Sequence, residues 1–200
     1  MSPERLAAFL IAVSFSAGLN LYATTATLGL LGRYGVVTLP AGLQVLTDPW
    51  VIAASAALFA IEFVADKIPL FDLVWNALHT FIRIPAAAVM SYAASAPLGP
   101  EWQAGAAIMG GALALAAHGG KTAARAAVTP SPEPFSNIAL STLEDGFTIF
   151  VTWFATRHPF IAAGIVLVCV GVLVLLTHTI VRAFRGMFRR QGPVESTLRT

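Results

Sequence analysis

The fold class this sequence predicts is all-α, a polytopic bundle of about six transmembrane helices, and three observations predict it. Of 200 residues, 57% are hydrophobic and only 11% are charged, with a mean hydropathy of +0.77. Apolar runs of membrane-spanning length recur along the chain. Lysine and arginine then gather in alternate connections between those runs. A soluble domain keeps roughly a quarter of its residues charged to wet its surface, so most of this chain is expected to face lipid.

A hydrocarbon core about 30 Å thick takes roughly 20 helical residues. The first span is read over 6–31, with a charge-free run too long for the core of a signal peptide. Within it, Ser16-Ala-Gly-Leu-Asn20 reads either as a break or as a packing glycine beside a hydrogen-bonded asparagine. The second span covers about 49–67 and closes at Lys67-Ile-Pro69, because proline cannot continue a helix from that position. The third covers 72–94, interrupted by Arg83 and Pro85, and the fourth 102–124. The proline-rich stretch 129–134 breaks the chain, and Ser136 and Asn137 offer N-cap chemistry for a fifth span over 136–156. The sixth, 159–181, carries no formal charge. Residues 1–190 therefore form one transmembrane domain, followed by a polar tail, 191–200, expected to be disordered and cytoplasmic.

Six spans place nine basic residues on one side (Arg5, Lys67, Lys121, Arg125, Arg182, Arg185, Arg189, Arg190, Arg199) and two on the other (Arg33, Arg157), with Arg83 inside a span. The positive-inside rule then puts both termini in the cytoplasm and the protein, as a multi-pass chain, in the cell (inner) membrane. The net charge of +2 implies no nucleic-acid partner, since the arginines after the last span form a juxtamembrane cluster facing anionic headgroups. The expected partner is the bilayer itself, and a homo-oligomer is compatible with it. A single cysteine, Cys169, allows no intrachain disulfide.

A charge at the bilayer centre costs about 2.5–3.5 kcal/mol on insertion scales, so it should face protein, water or a partner. Here the polar residues fall on helical faces. Span three aligns Asp72, Asn76, His79, Thr80 and Arg83; span five aligns Asn137, Ser141, Glu144, Asp145, Thr148 and Thr152. Span two sets Glu62 and Asp66 four apart, span four ends in His118, Lys121, Thr122 and Arg125, and span one adds Ser16, Asn20, Thr24 and Thr27. Arg83 lies about 16 Å beyond Asp72 and Asp145 about 13 Å beyond Ser136 at 1.5 Å per residue. Spans three and five run the same way, so Arg83 is expected to pair with Glu144 or Asp145.

Other chemistry finds little support. His118-Gly-Gly-Lys121-Thr122 resembles the end of a phosphate loop, but Leu115 stands where its first glycine belongs. Hydrolytic motifs are missing, so no enzyme activity is expected. No ligand spacing singles out a metal site among the acids and His118, and no cofactor is implied. Spans two–three and four–five share short strings (Ala65-Asp-Lys67 with Gly119-Gly-Lys121, Leu78–Arg83 with Leu140–Asp145), a possible repeat of two hairpins.

Five strings resemble a family of bacterial membrane proteins, the domain of unknown function family 4126. They are Ser14-Phe-Ser-Ala-Gly-Leu-Asn-Leu-Tyr-Ala-Thr24, Glu62-Phe-Val-Ala-Asp-Lys-Ile-Pro69, His79-Thr-Phe-Ile-Arg83, Ala116-Ala-His-Gly-Gly-Lys-Thr-Ala-Ala-Arg125 and Ser131-Pro-Glu-Pro-Phe-Ser-Asn137. The resemblance implies a membrane protein and no stated activity. From the residues, the leading expectation is a transporter or channel for an ion or small polar solute. Its pathway would use Asn20, Glu62, Asp66, Lys67, Asn76, His79, Arg83, His118, Lys121, Glu144 and Asp145. The alternative is a non-transporting scaffold, or a lipid- or partner-binding protein, whose buried charges serve assembly.

Overall fold

The computed structural model describes residues 1–128 and 134–189. Among them the chain forms seven α-helices and two short 3-10 turns and no strand. The helices are α1 (Pro3–Leu19), α2 (Leu21–Arg33), α3 (Pro49–Ala65), α4 (Pro69–Ala94), α5 (Pro100–Val128), α6 (Pro134–Arg157) and α7 (Pro159–Arg189). Residues 129–133 of the proline-rich break and the 191–200 tail lie outside the described residues. Helix α6 already begins at Pro134, so Ser136 and Asn137 lie inside it rather than at its cap.

Each start has a local cause. Proline opens α1, α3 and α4, where its missing N–H costs no helical bond. The Ser2 side chain accepts from Arg5 N ahead of α1, and the Asp48 carboxylate accepts from Trp50 N and Val51 N ahead of α3. Asn20 does two tasks: its extended backbone (φ −149°, ψ 102°) ends α1, and its side chain caps α2 by accepting from Ala23 N at 2.9 Å. The expected first span is therefore broken at Asn20.

The break reverses the chain. Ser14 bonds Ser91 at 2.9 Å, and Ser91 also faces Gly110. Four residues further along both helices, Gly18 lies against the Ala114 backbone, so α1 runs parallel to α5. Thr25 meets Ser55 at 3.0 Å while Gly29 meets Ile52, so α2 runs antiparallel to α3. Met1 and Phe9 consequently share a pocket of about 150 Å³ with residues 36–40, Thr156 and Arg157. Helices α1 and α2 make a hairpin that enters and leaves at one end of the bundle, here the Met1 end, with Asn20 at its tip.

This corrects two expectations. The 6–31 segment does not pass from one end of the bundle to the other. Five helices, α3 to α7, then alternate between the Met1 end and the opposite Lys67 end, so α7 carries the chain away from Met1. Met1 and the described end of α7, Arg189, stand at opposite ends where a shared end was expected, because one residue in extended conformation turned a crossing into a return.

An apolar core that includes Phe9, Phe15, Leu28 and Leu43 lies beside charges that a soluble protein rarely buries. Arg83, Glu62, Asp66 and Thr148 are fully buried, while Trp50 and Phe81 are each 82% exposed. A large apolar surface of this kind marks an interaction surface. By length and hydropathy, α6 over Ile138–Arg157 (mean 1.2) and α7 over Pro159–Thr179 (mean 2.9) are able to cross a membrane. The 3-10 turn Ala41–Thr47 and α3, bent by 71° at their junction, would together make a third. Helices α1 and α3 have 17 residues each, about 26 Å at 1.5 Å per residue. Helices α4 and α5 are longer, at 26 and 29 residues, but their polar faces lower their hydropathy. Hairpins α3–α4 and α5–α6 run in the same direction, as any consecutive hairpins of an alternating bundle do, so direction alone does not establish the repeat.

Candidate functional site

The hairpin tip lands among the buried charges. Asn20 Nδ2 donates to Asp145 Oδ1 of α6 at 2.9 Å. The last carbonyl of α1, at Leu19, accepts from Lys121 Nζ of α5 at 3.3 Å. A helix end carries partial charge, negative at the carbonyl end and positive at the amide end. The cation of Lys121 thus meets the carbonyl end of α1, and the carboxyl of Asp145 meets the amide end of α2. Gly18 permits this approach, since a side chain there would strike the Ala114 backbone.

Lys121 is the hub. Its ammonium lies 2.9 Å from Asp66 Oδ2, 3.5 Å from Glu62 Oε1 and 3.8 Å from Glu144 Oε2. Glu62 Oε1 also accepts a short bond from Arg83 Nη2. The Arg83 guanidinium reaches Asn76 Oδ1 at 3.4 Å and His118 Nδ1 at 3.1 Å as well. Arginine only donates, so His118 Nδ1 accepts and Nε2 carries the ring hydrogen, given to Thr80 Oγ1 at 2.7 Å. Thr80 passes its own hydrogen to the Asn76 carbonyl at 3.1 Å. His79 is held in the opposite tautomer: Nδ1 faces the Trp75 carbonyl at 2.7 Å, so Nε2 accepts from the Tyr22 hydroxyl at 2.9 Å.

The eleven expected site residues thus divide. Asn20, Glu62, Asp66, Asn76, Arg83, His118, Lys121, Glu144 and Asp145 come together in one connected centre. His79 sits beside it, stacked on Trp75 with ring centroids 4.4 Å apart. Lys67 lies half-buried at the rim, its ammonium on the Phe63 carbonyl at 2.7 Å and over the Phe63 ring. The expected pairing of Arg83 with Glu144 or Asp145 is wrong. Arg83 goes to Glu62 of α3, and Asp145 accepts instead from Asn20 at the hairpin tip. Lys121, expected in the pathway and also counted toward the cytoplasmic charge, is buried. Sequence reasoning missed Tyr22 and the Leu19 carbonyl, which carry no periodic signal; only their place beside Asn20 points to them.

Among the described residues, the buried Ser16 Oγ, Glu62 Oε2, Arg83 Nε, Ser141 Oγ and Asp145 Oδ2 find no hydrogen-bond partner. On α6 the buried Ser141, Asp145, Thr148 and Thr152, followed by Thr156, make one polar face. That face ends at the pocket shared by Met1, Thr156 and Arg157.

A chain whose described residues are helical, with paired charges buried and many large apolar side chains exposed, has the character of a membrane protein. It belongs to the domain of unknown function family DUF4126, which matches residues 7–179. No curated protein and no solved structure matches it.

Proposed function

We propose that the chain is an integral membrane transporter or channel for an ion or small polar solute. In this reading five helices, α3 to α7, cross the cell membrane, and α1–α2 enters as a re-entrant hairpin. The observation that carries it is the hairpin tip, whose two helix ends meet Lys121 and Asp145 deep in the bundle. Non-helical backbone at membrane depth is tolerated where it is enclosed by protein or lines a cavity, and transporters place ion sites at such broken helices. The polar face from Ser141 to Thr156 supplies a path from this centre toward the pocket at the Met1 end.

Orientation in this reading follows from the corrected ends. Among the described residues the Lys67 end collects Lys67, Arg125, Arg182, Arg185 and Arg189, against Arg5, Arg33 and Arg157 at the Met1 end. The Lys67 end is then cytoplasmic and the Met1 end external.

A non-transporting scaffold is the second reading, favoured by one observation. The side chains of Glu62, Arg83, Asp66 and Lys121 are wholly removed from solvent and ion-paired. Cysteines at Ser141, Thr148 and Thr152, with Cys169 replaced by alanine, separate the two. A small membrane-impermeant thiol reagent should label at least two of them in a transporter, and spare a control cysteine at Leu143, which is 71% exposed and faces lipid in this reading. Labelling at none of the three in folded protein would establish the scaffold.

A further inference from the structure

We infer that Asp145 is a proton-binding carboxyl and that the proton is the ion this site carries. The inference rests on the transport reading and names the ion for it.

The centre holds four carboxyl groups, Glu62, Asp66, Glu144 and Asp145. Against them stand Arg83 and Lys121, and Lys67 at the rim. Among the described side chains none of these cations stands within ion-pair distance of Asp145. An unmatched charge removed from water costs several kcal/mol, and a carboxylate escapes that cost by taking a proton. A bound metal ion is the other escape, but no three acid, histidine or cysteine groups converge to hold one among the described residues.

Geometry then selects the carboxyl. Glu62 Oε1 is shared by Arg83 and Lys121, and Asp66 Oδ2 is 2.9 Å from Lys121. Glu144 lies 3.8 Å from Lys121 and is partly exposed. Asp145 has no cation within ion-pair distance among the described residues. Its Oδ1 takes a neutral amide hydrogen from Asn20, and its Oδ2 is buried with no partner. Of the four it is the one least held in the charged form by a neighbour.

The surroundings fit a proton that comes and goes. From α5, Lys121 acts on Asp145 at longer range, and from the end of α3 so do Asp66 and Lys67. Helices α1 and α2 present Asn20, and the Tyr22 hydroxyl is engaged by His79. Helix α7 has no formal charge between Pro159 and Thr179. One turn before Asp145 on α6 lies the unpartnered Ser141 hydroxyl, and one turn before Asn20 on α1 the unpartnered Ser16 hydroxyl. Because the two helices run in opposite directions, Ser141 lies toward the Lys67 end and Ser16 toward the Met1 end. A hydroxyl both donates and accepts, so each is a stepping point on its own side of the carboxyl.

The test uses the intact chain in liposomes with two readouts. Dicyclohexylcarbodiimide partitions into apolar regions and reacts with protonated carboxyls. Peptide mass spectrometry should find its adduct on Asp145, falling about tenfold for each pH unit above the carboxyl's own pKa. The second readout is proton uptake by the same liposomes under an imposed pH difference, followed with an enclosed pH dye and compared with empty liposomes. An adduct at Asp145 together with uptake supports both the inference and transport. An adduct without uptake keeps the proton site and removes the transport reading. Uptake with the adduct elsewhere, or with no adduct on any of the four carboxyls, overturns Asp145 as the carrier and leaves transport standing.

Discussion

Asn20 and Asp145 are joined by a 2.9 Å hydrogen bond across 125 residues of chain, and that bond fastens the tip of a helical hairpin to the middle of α6. The same asparagine ends α1 and caps α2, so one side chain sets both the reversal of the backbone and its anchorage.

Replacing it therefore has two effects. Asn20→Ala removes an N-cap, worth about 0.5–2 kcal/mol, and leaves Asp145 Oδ1 without its donor, worth about 1–3 kcal/mol. Asn20→Asp retains the cap acceptor but sets a second carboxylate beside Asp145. Thermal unfolding in detergent should rank wild type above both variants. Asn20→Asp should recover toward wild type when combined with Asp145→Asn, and failure to recover would mean the two residues do not act as a pair.

Arg83 and Glu62 make a wholly buried ion pair. Removing one member of such a pair strands a charge, at a cost of about 3–5 kcal/mol. Arg83→Leu and Glu62→Leu should each lower thermal stability in detergent strongly, and the double variant should lose less than their sum. Lys121, also near Glu62, makes the glutamate single variant the worse of the two, because it loses partners for two cations. Additive losses would show that the pair is not formed.

The hairpin predicts topology. Reporter fusions at the N-terminus and in the connection near Gly42 should report one side, and a fusion at residue 200 the other. A C-terminal reporter on the same side as the N-terminal one would mean that the α1–α2 segment crosses after all.

Close packing at the tip gives a steric prediction. Gly18 backs onto the Ala114 main chain, which has little room to yield, whereas nothing lies within 4 Å of where a side chain at Gly146 would begin. Overpacking typically costs about 1–3 kcal/mol. Gly18→Val should lower thermal stability by that order, while Gly146→Ala should leave it within about 0.5 kcal/mol. Equal effects at the two positions would remove the close approach from the fold.

By itself the sequence determined the helices and their hidden faces. Apolar runs located the starts of α3, α4, α5, α6 and α7 to within about three residues, and the 3.6-residue period put Asn76, His79 and Arg83 on one face of α4 and Ser141, Asp145 and Thr148 on one face of α6. Period records that a face is hidden, because burial selects residue type at every turn. It does not record which neighbour hides it. Only the tertiary structure decided that Arg83 meets Glu62 rather than Asp145, since Glu62, Asp66 and Lys121 come from helices whose contacts depend on packing far along the chain. Only the tertiary structure decided, too, that 6–31 turns back. Ser16-Ala-Gly18-Leu-Asn20 suits a capped break and a close-packed continuous helix alike. What selects the break is the pair of partners waiting at the tip, Lys121 for the freed Leu19 carbonyl and Asp145 for the Asn20 amide, and both are supplied more than a hundred residues away.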